Sequence, residues 1–142
     1  MKIRCIVVDD EPLSQDVLKK YILDCPMLEL VKICSDALEA NNELINNNIQ
    51  LMYLDINMPK LSGIRFIKTL ANPPLVIFTT AYPEYAIEGF EVDAVDYLLK
   101  PFSYERFLKA TNKAIEKINY SNIKNTVAND FILLKSDKKS TS

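Results

Sequence analysis

Five short runs rich in Val, Ile and Leu, separated by stretches of helical period, limit what this chain can fold into. The runs are Ile3 to Val8, Leu28 to Cys34, Leu51 to Leu54, Leu75 to Phe78 and Val95 to Leu99. The first, third and fourth barely alternate between apolar and polar residues, as strands buried on both faces do. Between the runs, apolar residues recur every three or four positions. Leu13, Val17 and Tyr21 form one stripe with Leu18 and Ile22 beside it. Ala37, Leu38, Asn41, Leu44 and Ile45 form a second, Ile64, Ile67, Leu70 and Ala71 a third, and Tyr85, Ala86 and Phe90 a fourth. Phe107, Thr111, Ala114, Ile115 and Ile118 make the last and clearest. Five alternations of strand and helix imply an α/β fold, a parallel sheet covered on both sides. Pro12 stands where a first helical turn would begin, and Asp36 and Ser103 look like helix N-caps.

Composition removes several classes of function. The chain has 142 residues, 49% of them hydrophobic, enough for one domain with a real core. A net charge of -2 offers no broad field for nucleic acid. No run approaches the roughly 20 apolar residues that span a bilayer, and the amino terminus is too short an apolar run for a signal peptide. A cytoplasmic protein without a membrane role is expected. Cys5, Cys25 and Cys34 have neither disulfide nor zinc spacing and read as buried free thiols. Histidine is absent, which removes most transition-metal sites and the usual neutral-pH general base. Any metal is therefore held by oxygen: magnesium, manganese or calcium. With only two glycines, Gly63 and Gly89, glycine-rich phosphate loops are excluded.

In an open parallel sheet, ligands bind at the carboxyl ends of the strands, near the point where strand order reverses. The first run ends in Asp9, Asp10 and Glu11, the third in Asp55, the fourth in Thr79 and Thr80, and the fifth in Lys100 before Pro101. Gathering Asp9, Asp10 and Asp55 is costly, because two like charges about 4 Å apart repel by roughly 4 kcal/mol at an effective dielectric of about 20. A hard divalent cation relieves this, with Lys100 as a second positive charge. Asp55 is then the natural nucleophile, a carboxylate able to take a phosphoryl group as an acyl phosphate. Thr80 offers a hydroxyl to the attached group. Taken singly, each residue has a plainer reading: Asp10 before Glu11-Pro12 serves as well for a cap as for a ligand, and Lys100-Pro101 is a turn.

The joint pattern resembles a known family. VVDDEP at residues 7 to 12, LDINMPKLSG at 54 to 63, FTTA at 78 to 81 and DYLLKPF at 96 to 102 resemble the receiver domain of bacterial two-component response regulators, over about Lys2 to Asn119. Asp55 lies 45 residues after Asp10 and 45 before Lys100, as that likeness requires. The resemblance implies a flavodoxin-like five-stranded parallel sheet of order 2-1-3-4-5 and phosphorylation of Asp55 by a sensor histidine kinase. It implies magnesium (or manganese) on Asp10, Asp55 and the backbone carbonyl of Asn57, with Asp9 acting through water. Lys100 would contact the phosphoryl group, and the Lys100–Pro101 bond would be cis. Thr80 and Tyr97 would form the switch, although Tyr97 also reads as a half-exposed strand tyrosine. Asn57 and Tyr82 would tune the lifetime of the acyl phosphate. The face made by the fourth helix, fifth strand and fifth helix would dimerise on activation.

A narrower likeness covers TAYPEYAIEGFEVDAVDYLLKPF, which looks like receivers that precede LytTR-type DNA-binding domains. Composition shifts near Tyr120, so residues 1–120 read as the receiver and 121–142 as a polar linker with FILLK as the first strand of a truncated DNA-binding domain. DNA would then be reached only through the missing part, and a stand-alone relay domain is the alternative. Two other classes compete. A haloacid dehalogenase-type hydrolase needs an acid two residues after its nucleophile, where this chain has Asn57. A flavin carrier needs a hydroxyl- and glycine-rich first loop, where it has DDEP. Turnover of an external substrate is not expected.

Overall fold

A computed structural model describes residues 2–84 and 92–141, with residues 125–141 described as backbone alone. Five parallel strands, β1 (Ile3–Val8), β2 (Leu28–Cys34), β3 (Leu51–Asp55), β4 (Leu75–Thr80) and β5 (Asp96–Leu99), lie in the order β2-β1-β3-β4-β5. The three inner strands, β1, β3 and β4, are those whose sequences barely alternate, and nearly all their residues are buried. The edge strands β2 and β5 carry the exposed positions. Four helices are described: α1 (Pro12–Leu23), α2 (Ala37–Asn46), α3 (Gly63–Lys68) and the C-terminal α4 (Tyr104–Thr141). The helical stripe expected around Tyr85, Ala86 and Phe90 falls outside the described residues.

Local sequence sets these boundaries. Pro12 occupies the first turn of α1, where its missing N–H costs nothing. Asp36 caps α2 by accepting from the Glu39 N–H at 2.9 Å. Ser62 caps α3 through the Arg65 N–H, and Ser103 caps α4 through the Arg106 N–H.

The sheet divides the core in two. Cys5, Val7, Leu51, Tyr53, Ile77 and Leu98 face α1 and α4, whereas Ile6, Val8, Met52, Leu54, Val76 and Phe78 face the α2 and α3 side. All three cysteines are buried and free, and burial pushes the Cys5 and Cys34 thiols up to about 12. The stripe of α1 differs from its sequence reading. Leu18 (1% exposed) and Ile22 enter the core, while Leu13 (80% exposed) and Val17 do not. Pro12 and the tight turn before it fix the helix's rotation, and a stripe with apolar residues on two adjoining rows does not say which row turns inward.

The backbone of α4 is helical through Thr141, where the sequence suggested a polar linker and a strand over FILLK. No glycine or proline occurs from Ser103 onward, so nothing there stops a helix. Its apolar stripe leaves the core after Ile118, and Tyr120 and Ile123 are exposed.

One buried polar contact fastens α4 to the central strand: the Tyr53 and Thr111 hydroxyls lie 2.6 Å apart, both fully buried, with the Tyr53 ring stacked on Phe107. Thr111→Val keeps the shape and leaves the phenol unpaired, so urea unfolding should show a loss of about 1–3 kcal/mol. Adding Tyr53→Phe should recover part of that loss. A double variant that is simply additive would show that the two hydroxyls do not interact.

Candidate functional site

Parallel strands end on the same side of the sheet, and the register makes their ends neighbours. Val8 pairs with Leu54 and Asp55 with Thr79, so Asp9, Asp55 and the end of β4 stand side by side. The reversal of strand order, with β1 flanked by β2 and β3, falls at this spot. The ladder continues beyond the strands: the Ile56 N–H donates to the Thr79 carbonyl at 2.9 Å, and the Lys100 N–H to the Thr80 carbonyl at 2.7 Å. That second bond aims the Lys100 side chain across the strand ends. The peptide bond between Lys100 and Pro101 is cis.

Lys100 Nζ lies 2.9 Å from Asp9 Oδ2, 3.5 Å from Asp55 Oδ2 and 3.7 Å from Glu11 Oε1. Asp9 and Asp55 are 0% and 2% exposed, so little water solvates their charge. Burial, reinforced by Asp9, pushes the Asp55 carboxyl up to about 7, while Lys100 and the Asn57 N–H restrain the rise and Asp10 adds to it. Burial also works against the charged Lys100, but its hydrogen bond to Asp9 and the nearby carboxylates outweigh this, so its ammonium is held above the usual lysine value.

Among the described residues, Asp9, Glu11 and Asp55 offer carboxylate oxygens within 4.8 Å of one another. An all-oxygen donor set with an excess of buried negative charge fits a hard divalent cation, magnesium or manganese. Asp10 is exposed at the mouth of the site and does not belong to that converging set, although its charge reaches Asp55. Asn57 is also exposed, and its N–H donates to Asp55 Oδ1 at 3.2 Å.

Thr80 is buried, and its hydroxyl accepts from the Tyr82 N–H at 3.1 Å. Tyr97 is half-buried, its ring stacked on Phe78 with centroids 5.5 Å apart, and its hydroxyl is buried with no hydrogen-bond partner among the described residues. Tyr82 is largely exposed. Beside Lys100, a groove of about 500 Å³ opens between α1 and the segment after β5, lined by Leu13, Val17, Tyr21, Pro101 and Phe102. The residues left out of the α1 core stripe thus border the site.

Sequence reasoning gave no role to Glu11 or Gly63. Glu11 reads as part of the turn before Pro12, and only the fold swings its carboxylate toward Lys100. Gly63 carried a stronger signal, being one of two glycines, placed at the start of a helix. The loop from β3 folds back so that the Gly63 N–H donates to the Ile56 carbonyl at 2.9 Å, with Lys60 in the left-handed region at φ 70°. A Cβ on Gly63 would collide with the Asp55 carbonyl oxygen and lie 3.0 Å from Leu54 Cγ. Gly63→Ala should therefore cost about 1–3 kcal/mol in chemical denaturation, by overpacking against the strand that carries Asp55. Unchanged stability would mean that the loop yields freely.

Comparison with known proteins agrees with this arrangement. A family model described as "Response regulator receiver domain" matches residues 5–112. A sensory transduction protein LytR of Staphylococcus haemolyticus is 36% identical over 122 residues, covering 84% of this chain and 48% of that relative. The transcriptional regulatory protein BtsR of Escherichia coli K12 is 38% identical over 109 residues, covering 75% of this chain and 46% of that relative. The chain thus spans about half the length of the curated relatives it matches. Among solved structures, the response regulatory domain of mrkE from Klebsiella pneumoniae superposes with a TM-score of 0.74 at 34% identity, covering 81% of this chain and 97% of that one. The response regulator TrrA of Thermotoga maritima, solved in complex with Mg(2+)-BeF, superposes with a TM-score of 0.70 at 29% identity, over 80% and 99%. No described helix is long and apolar enough to cross a membrane. A five-stranded parallel sheet of this order, with these acids and this lysine at its carboxyl edge and a family match over residues 5–112, makes the chain a member of the response regulator receiver domain family.

Proposed function

We propose that this domain accepts a phosphoryl group on Asp55 from a histidine kinase and uses it to control transcription. The observation that carries the reading is Lys100 Nζ set between the buried Asp9 and Asp55 carboxylates at the carboxyl edge of the sheet. An Asp55 oxygen attacks phosphorus, the new O–P bond forms, and the bond from phosphorus to the donor nitrogen breaks with its electron pair. Lys100 lies where it can follow the charge from the carboxylate to the phosphoryl oxygens. A divalent cation held by Asp55, Asp10 and the Asn57 carbonyl, with Asp9 through water, would neutralise phosphoryl charge. The groove beside Lys100 gives the donor protein apolar surface next to the acceptor.

Thr80 and Tyr97 are the switch in this reading, and Asn57 and Tyr82 flank the approach to the acyl phosphate. The face that includes β5 and α4 would pair two copies on activation. The similarity to BtsR, named a transcriptional regulatory protein, favours a DNA-binding output, with residues 1–120 as the receiver and the segment after Tyr120 leading toward it. A cytoplasmic place follows from such a role, and no turnover of an external substrate is expected.

Incubation with a small phosphodonor and magnesium should give a hydroxylamine-sensitive label on Asp55, lost in Asp55→Asn or without metal. A label that survives that substitution would sink the reading. Sedimentation with and without beryllium fluoride tests self-association; an unchanged mass counts against the dimer.

Burial of Asp55, reinforced by the neighbouring Asp9, makes a second prediction, in metal-free buffer. Folded Asp55 holds its proton up to about 7, against an ordinary aspartate value of 3.8. The folded state then binds more protons than the unfolded chain between those values, so this group's contribution falls as pH rises through that window. Asp55→Asn should raise the melting temperature without metal, with the gap over the parent widening from about pH 4 to about pH 7. Magnesium should raise the parent's melting temperature at neutral pH more than the variant's. A gap independent of pH would show that Asp55 ionises freely in the fold.

A further inference from the structure

Gln15, in the first turn of α1, belongs neither to the core nor to the acidic set. Its side chain nonetheless reaches back over the turn that carries them. Gln15 Nε2 donates to the Asp9 carbonyl oxygen at 2.6 Å and lies 3.4 Å from Ser35 Oγ. The residue is half-buried, and its own N–H donates to the Glu11 carbonyl at 3.0 Å.

The Asp9 carbonyl sits in the same rigid peptide plane as the Asp10 N–H. Holding that oxygen therefore fixes one of the bonds about which Asp10 turns. The remainder of the loop is held from the other side. Asp9 Oδ1 accepts from the Glu11 N–H at 2.9 Å, Asp9 Oδ2 meets Lys100, and the Asp9 N–H donates to the Cys34 carbonyl at 3.0 Å. The Asp9 side chain thus holds the peptide after Asp10 through the Glu11 N–H, while Gln15 holds the peptide before it through the Asp9 carbonyl. Asp10 itself is exposed, and the converging carboxylates are those of Asp9, Glu11 and Asp55, two of which stand on this turn. The contact toward Ser35 also ties the loop after β1 to the loop after β2.

We propose that Gln15 is a positioning residue for the cation site, holding the Asp9–Asp10 peptide and with it the turn that carries Asp9, Asp10 and Glu11. The inference rests on the phospho-acceptor reading and adds to it a residue that touches neither metal nor phosphoryl group. Gln15→Met keeps an unbranched side chain of similar length and removes the donor. In the full chain, calorimetric titration with magnesium should show affinity weakened about tenfold, the scale at which such supporting contacts act. The rate of Asp55 labelling at saturating magnesium should match the parent, and the melting temperature in chelator should change little. Unchanged magnesium affinity would overturn the inference. So would a joint fall in affinity, saturated rate and metal-free melting temperature, which would make Gln15 a general support of the fold. If the parent chain itself neither binds magnesium nor labels Asp55, the phospho-acceptor reading fails and this inference with it. A parent that does both beside an unaltered Gln15→Met removes the inference alone.

Discussion

One ammonium group stands between two buried carboxylates, and most of the site follows from that imbalance. Lys100 neutralises one charge, while Asp9 and Asp55 bring two and Glu11 a third at the rim. Burial, reinforced by the Asp9 charge, pushes the Asp55 carboxyl up to about 7 despite the lysine beside it. The same excess makes the pocket attractive to a hard cation. A second lysine would balance the carboxylates and leave less attraction for a metal.

The fold supplies this arrangement with few special parts. Parallel order puts all five carboxyl ends on one edge, and the registers of β1 with β3 and β3 with β4 place Asp9, Asp55 and Thr79 abreast. Helix caps at Asp36, Ser62 and Ser103 then start α2, α3 and α4 after short connections. Gly63 permits the closest approach, where the loop after β3 turns back onto the Asp55 backbone. The chemistry is carried by side chains at strand ends, and the precision by backbone bonds that extend the ladders one residue further, at Ile56 and Lys100.

The strands were legible because the apolar runs are too short for helices and rich in Val, Ile and Leu, and strand-end acids stand out against them. Asp55, Asp9, Lys100 and Thr80 were therefore visible, and the structure places Asp9, Asp55 and Lys100 in contact. What periodicity could not show was rotation. The α1 stripe has two adjoining apolar rows, and only packing turns Leu18 and Ile22 inward and leaves Leu13 and Val17 along the groove. Glu11 and Gln15 were hidden for a related reason: their part is set by where a side chain swings from the first turn of a helix, which a linear spacing does not encode. After Tyr120 composition is polar while the backbone is helical, because polarity alone does not separate a linker from a helix that lacks glycine and proline.

Restraint around the site is unequal, and the inequality has a direction. The first turns of α4 are fastened twice to strands that carry site residues. In the core, the Tyr53–Thr111 hydroxyl pair lies on β3, two residues before Asp55. At the edge, Asp96 on β5 takes both Arg106 and Lys113. Burial works against the Asp96 charge, yet the Arg106, Tyr97 and Lys113 hydrogen bonds overcome it and hold the carboxyl down at about 2, so this clamp stays charged at any physiological pH. Thr80 and Tyr97 have far less: one hydroxyl taken by a neighbouring amide, the other buried and unpaired among the described residues. Breaking the α4 attachments would strand buried or charged groups, whereas turning Thr80 gives up one modest hydrogen bond and moving Tyr97 frees a phenol that has none. In the proposed phospho-acceptor role, Thr80 and Tyr97 are therefore the neighbours of Asp55 with least to give up, and α4 is the more firmly held element beside them.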